Sequence, residues 1–172
     1  MVDLEIARQP WDDIPCGCSQ SARHLADLLR RAAQSAEIEL KGATECHVWS
    51  PVVLYSPAPA VAEVALAALA DDLSQQAHEQ FLELLNSLVH GEGTDLPEAC
   101  ERLASRGIWL LYRELALDRS INATATAFEL LATLEPDRDR LRRAQIALGE
   151  SLPWDYRPGM LNDPLDSSAT DE

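Results

Sequence analysis

The strongest signal along the chain is a recurrence of apolar residues every three to four positions. Between residues 19 and 37, Ala22, Leu25, Leu28, Leu29, Ala32, Ala33 and Ala36 share one helical face, while Arg23, Arg30 and Arg31 fall largely on the other. Ser19 or Ser21 is placed to cap this helix. The period lapses over 38–58. There Ile38, Glu39, Leu40 and Lys41 alternate, and Val52, Val53, Leu54 and Tyr55 have strand propensity, but Pro51, Pro57 and Pro59 interrupt. An irregular connection is predicted, with one short strand or helical turn at most.

The helical pattern returns at Ala58. Residues 60–70 carry Glu63 as their single charge, which predicts a helix buried nearly all round. Asp71 and Asp72 mark a turn, and Ser74 caps a helix whose stripe is Ala77, Phe81, Leu84, Leu85 and Leu88, ending before Gly91. Asp95, Pro97 and Glu98 open the next helix, which stops near Gly107. Further helices are predicted from Ile108 to Leu115, over 125–134, and from Leu141 to Gly149, with a turn at Glu135, Pro136 and Asp137. Trp109 shares an apolar stripe with Tyr112 and is assigned to the core.

Residues 1–18, with Pro10, Trp11, Pro15 and the Cys16-Gly17-Cys18 unit, read as an irregular lead-in. Residues 150–172 read as an acidic, mostly irregular tail whose last ten or so residues are disordered. The expected fold class is therefore all-α: one helical domain over 1–149, comprising a first helix at 19–37, an irregular connection at 38–58, and helical hairpins over 58–149.

Two stretches share a weak internal pattern. Val64-Ala-Leu-Ala-Ala-Leu-Ala-Asp-Asp72 and Glu129-Leu-Leu-Ala-Thr-Leu-Glu-Pro-Asp137 each give an apolar helix, an acidic turn and a second amphipathic helix. In this pattern the chain resembles short HEAT- or armadillo-type stacks of helical hairpins over 58–149. The resemblance implies a curved helical layer that binds another protein. The alternative arrangement of the same hairpins is an irregular helical bundle.

Charge narrows the function. Fourteen basic against twenty-nine acidic side chains give a net charge of -15 over 172 residues. Such a surface repels nucleic acid and anionic lipid and attracts cationic partners. No lysine or arginine lies between Lys41 and Arg102, where ten carboxylates fall: Glu45, Glu63, Asp71, Asp72, Glu79, Glu83, Glu92, Asp95, Glu98 and Glu101. Like charges at helical spacing repel, so a run of one sign points to a basic partner. Asp71, Asp72, Glu92 and Asp95, with Trp49 and Tyr55 nearby, are the candidate partner-binding residues. In size, charge and helical hairpins the chain resembles small acidic immunity proteins and antitoxins, which implies an inhibitor that masks a basic toxin.

Catalytic signatures are missing, and no enzyme activity or cofactor is expected. His78 and Glu79 begin like a zinc-protease motif, but Leu82 stands where the second histidine belongs, so a solvated helix face is expected. Gly91 and Gly93 lack the lysine of a phosphate loop, and no serine sits in a Gly-x-Ser-x-Gly turn. Cys16, Cys18, Cys46 and Cys100 are expected to be reduced, packed thiols, with no bound metal. The alternative is zinc held by Cys16, Cys18 and Cys46 with His24 or His47, although Cys16 and Cys18 have one intervening residue where two to four are usual. The sequence opens without a basic region or apolar stretch of a signal peptide, so a cytoplasmic location is expected, and no membrane partner.

Overall fold

A computed structural model describes residues 1–35, 37–51 and 53–166. The chain is all-α, with nine α-helices and one two-stranded ribbon among those residues. It divides into two compact units, Met1–Gly107 and Ile108–Glu172, so a boundary falls inside the stretch read as one helical domain. No described helix is long and apolar enough to cross a membrane.

The first unit is built on the hairpin of α4 (Ala58–Leu69) and α5 (Gln75–Val89). Helix α4 buries Ala58, Ala60, Val61, Ala62, Val64, Ala65, Ala68 and Leu69, as its single charge predicts. Its single carboxylate, Glu63, accepts from Arg8 at 2.9 Å and Gln9 at 2.6 Å. Both donors belong to a segment read as irregular, which is a correction. Val2–Arg8 forms a helix, α1, because Val2 and Ile6 bury against α4. Seven residues are too few to hold a helix alone, so packing makes this one. Trp11 completes the lock, buried with its indole donating to the Ile6 carbonyl at 2.8 Å.

Helix α2 (Arg23–Gln34) starts later than predicted, after Ala22 and with no side-chain cap. Residues 14–22 instead close a tight turn through Cys16 N–H to Gln20 O at 2.8 Å and Ala22 N–H to Ile14 O at 2.9 Å. Ala36, assigned to this helix, lies outside the described residues, as does Val52. The 38–58 connection contains a short helix, α3 (Leu40–Thr44), and an antiparallel ribbon of β1 (Trp49–Ser50) and β2 (Val53–Leu54), with Trp49 opposite Leu54. Two such strands are marginal alone. Here Tyr55 N–H donates to Val48 O and Leu54 N–H to Glu92 O, tying the ribbon to its surroundings. Helix α6 (Asp95–Arg106) packs on α4 and α5 and closes the unit.

The second unit pairs α7 (Ile108–Leu117) with α8 (Ile121–Leu134), followed by α9 (Arg138–Leu148). Ser120 caps α8 through Ala123 N–H, and Asp137 caps α9 through Arg140 N–H. Leu111, Leu115, Phe128, Leu130, Leu131 and Leu141 form the core. Residues 150–166 are irregular, with two 3-10 turns, but they are not loose. Leu152 is fully buried, and Asp163 accepts from Arg142 at 2.7 Å and Gln145 at 2.9 Å. The expectation of disorder is thereby corrected for 163–166; residues 167–172 lie outside the described residues.

Candidate functional site

The predicted partner-binding residues separate into two groups. Asp71 and Asp72 follow α4 and precede α5, whereas Glu92 and Asp95 follow α5. The fifteen residues of α5 make a helix about 22 Å long, so the two acidic turns sit at its opposite ends. They do not form one patch. Asp71 is also engaged within the fold: its carboxylate accepts from the Met1 and Val2 backbone nitrogens at 2.5 and 3.2 Å. The Met1 amino group and the Val2 N–H hold the Asp71 carboxyl below its ordinary range. Asp72, Glu92 and Asp95 are exposed.

Trp49 and Tyr55 stand at the Glu92 end, since the β2 residue Leu54 bonds to Glu92. Both are half-buried and pin the 38–58 segment. The Trp49 indole donates to Thr44 Oγ1 at 3.1 Å and lies 5.7 Å from the Lys41 ammonium. The Tyr55 ring packs on Gly17 so closely that a Cβ there would lie 2.6 Å from it. Two other aromatic assignments change. Trp109, expected in the core, is 65% exposed, because α7 turns Leu111 and Leu115 inward instead. His78, expected on a solvated face, is buried with Nε2 3.1 Å from Asp71 O.

Around Trp109 the second unit assembles an aromatic–cation cluster that sequence patterning missed. The Arg140 guanidinium lies 5.0 Å from the Trp109 ring and 5.8 Å from Tyr112, and the two rings are 5.5 Å apart. Glu135 fixes Arg140, accepting from it at 2.8 Å and from the Tyr112 hydroxyl at 2.9 Å. Burial, reinforced by Glu135, pushes the Tyr112 hydroxyl up to about 12, so it remains a donor. Beside Tyr112 an open cleft of 430 Å³ is lined mainly by Leu115, Ala144, Ala147 and Leu148.

A separate group of metal-ligating side chains converges in the first unit. Cys16, Cys18, His24 and His47 bring one ligand atom each to within 4.8 Å of one another. Cys16 Sγ lies 3.7 Å from His24 Nε2 and 3.3 Å from His47 Nδ1, and the two nitrogens are 3.1 Å apart. The imidazoles meet edge to face, at 65° and 4.8 Å between centroids. Cys46 is not part of the group; the adjacent Cys46 and His47 point apart, and His47 is the one turned inward. The group is therefore Cys16, Cys18, His24 and His47 in place of the Cys16, Cys18 and Cys46 set; Cys16 and Cys100 are buried as packed thiols, whereas Cys18 and Cys46 are exposed.

No protein family, curated protein or solved structure matches this chain.

Local backbone explains the quartet. The 14–22 turn requires a left-handed Ser19, φ 68°, and delivers Cys16 and Cys18 from one loop. Gly17 between them is required by space: a Cβ would lie 2.5 Å from the Cys46 carbonyl. His24 follows on the first turn of α2, and a left-handed Cys46, φ 62°, throws His47 back across the loop. Gly17 N–H donates to His47 O at 3.1 Å and so joins the two segments. Cys16 is buried, while Cys18 and His24 are open to solvent.

Proposed function

We propose that this chain is a non-catalytic, acidic protein-binding protein of the immunity or antitoxin type, which masks a basic protein partner. The observation that carries the reading is the excess of exposed carboxylate in residues 42–101. Glu45, Asp72, Glu83, Glu92, Asp95 and Glu98 are exposed, while Arg8, a cation supplied from outside this stretch, is shared between Glu63 and Glu5. Acids spread over both ends of α5 create a broad negative field, which steers a cationic partner without needing a single patch. Exposed Val53, beside the Glu92 loop, adds apolar contact at one end.

The test is affinity capture on the whole chain, with the retained protein identified by mass and its binding rate measured at two salt concentrations. A basic partner is expected, with association slowed about tenfold or more between about 0.05 and 0.5 M salt. The triple charge reversal Asp72→Lys, Glu92→Lys and Asp95→Lys should slow it similarly. A partner whose rate ignores both changes would refute the reading.

A helical adaptor is the second reading, and the Trp109, Tyr112 and Arg140 cluster favours it. Trp, Tyr and Arg are the residue types that dominate interface energies, and Trp109 is exposed. Salt-insensitive binding lost in Trp109→Ala would support the adaptor instead.

A further inference from the structure

We propose that Cys16, Cys18, His24 and His47 form a tetrahedral zinc site that staples the 14–24 segment to the 44–49 segment. The proposal is independent of the partner-binding reading. A zinc ion with bonds of about 2.3 Å to sulfur and about 2.0–2.1 Å to nitrogen sets the edges of its tetrahedron at about 3.5 Å for sulfur to nitrogen and about 3.3–3.4 Å for nitrogen to nitrogen. The corresponding separations here are 3.7 and 3.3 Å for sulfur to nitrogen and 3.1 Å for nitrogen to nitrogen. Cys16, His24 and His47 thus lie at the spacing that one such ion imposes, and Cys18 Sγ lies within 4.8 Å of each of the three.

The donor chemistry agrees. His24 Nδ1 faces the Ser21 carbonyl at 3.1 Å, and a carbonyl only accepts, so Nδ1 carries the proton. That leaves the Nε2 lone pair aimed into the cluster, and a carbonyl on the far nitrogen is what orients metal-bound imidazoles. His47 presents Nδ1 instead, with its backbone held by Thr44 O. Two thiolates with two neutral imidazoles carry two negative charges and match one divalent cation; tetrahedral S₂N₂ geometry selects zinc. Four protein ligands leave no position for water or substrate, so the role is structural, not hydrolytic.

A hydrogen bond between the two histidines would account for their 3.1 Å contact without a metal. It would not account for two sulfurs within 4.8 Å of the same two nitrogens, and the following measurements separate the two. The whole chain, purified without a histidine tag, is analysed for metal, and after chelation is titrated with Co²⁺. One zinc per chain is expected, with the visible bands and thiolate charge-transfer absorption of tetrahedral cobalt, both reversed by Zn²⁺.

Cys16→Ser and His24→Ala should each weaken cobalt binding by more than about 100-fold, beyond the roughly 10–100-fold typical of an outer-shell partner. Cys46→Ser and Cys100→Ser should leave the spectrum unchanged. If a variant fails to fold, the wild-type titration still decides. A folded wild-type chain that takes up neither metal overturns the proposal, as does a cobalt spectrum that survives His24→Ala but is lost in Cys46→Ser.

Discussion

Asp163 shows how much a single side chain in an unpromising stretch can do. Burial alone would raise its carboxyl, but the Arg142 guanidinium, the Gly159 N–H, the Gln145 amide and the Leu165 N–H outweigh that and hold it at about 2. Its ordinary value is 3.8, so the folded form binds its proton less readily than the unfolded chain. The stability it contributes is therefore full above about pH 4 and is lost as pH falls toward about 2. Asp163→Asn should cost on the order of 2 kcal/mol at pH 7 and much less at about pH 2, as read by denaturant unfolding at both pH values. None of this was legible from sequence, where Asp163 sits among prolines and acids. Likewise, residues 16–24 displayed the ligand types of the quartet, but only the left-handed Cys46 decides that His47, and not Cys46, faces inward.

At the level of elements, local pattern was most reliable where many residues vote together. The mostly apolar α4, the Ser74 cap of α5 and the turn after α8 all appear as the period and capping residues require. It was least reliable where a short element depends on a distant surface, as with α1. Helix α7 is an intermediate case: its period was correct but its inward face was not. Removing exposed Trp109 should therefore cost less than removing a buried ring. Trp109→Ala is expected to lower unfolding stability by about 1 kcal/mol, the value of its contact with Arg140, whereas Phe128→Ala should lower it by roughly 3–5 kcal/mol. Equal losses would mean that the α7 face is assigned wrongly.

For the molecule as a whole, charge dominates. Seventeen acidic and seven basic side chains lie in residues 1–107, and twelve against seven in residues 108–172, so both units are negative. Exposed ion pairs contribute little each, while the uncompensated carboxylates repel one another. Added salt screens that repulsion within about 10 Å at 0.1 M. The melting temperature at pH 7 should accordingly rise between about 0.02 and 0.3 M sodium chloride. A fall would show that ion pairs such as Arg142–Asp163 outweigh the repulsion.

The amino-acid sequence by itself determined that this chain is helical, where its longer helices lie and that its surface is acidic. Those properties are sums over local residues: periodicity, capping, turn chemistry and charge. Tertiary structure alone decided which carboxylates are already engaged and that Trp109 faces solvent. It also decided that two cysteines and two histidines, spread over 32 residues, meet within 4.8 Å. Such meetings depend on loop closure and on the direction of single side chains, and a pattern read along one dimension does not encode that direction.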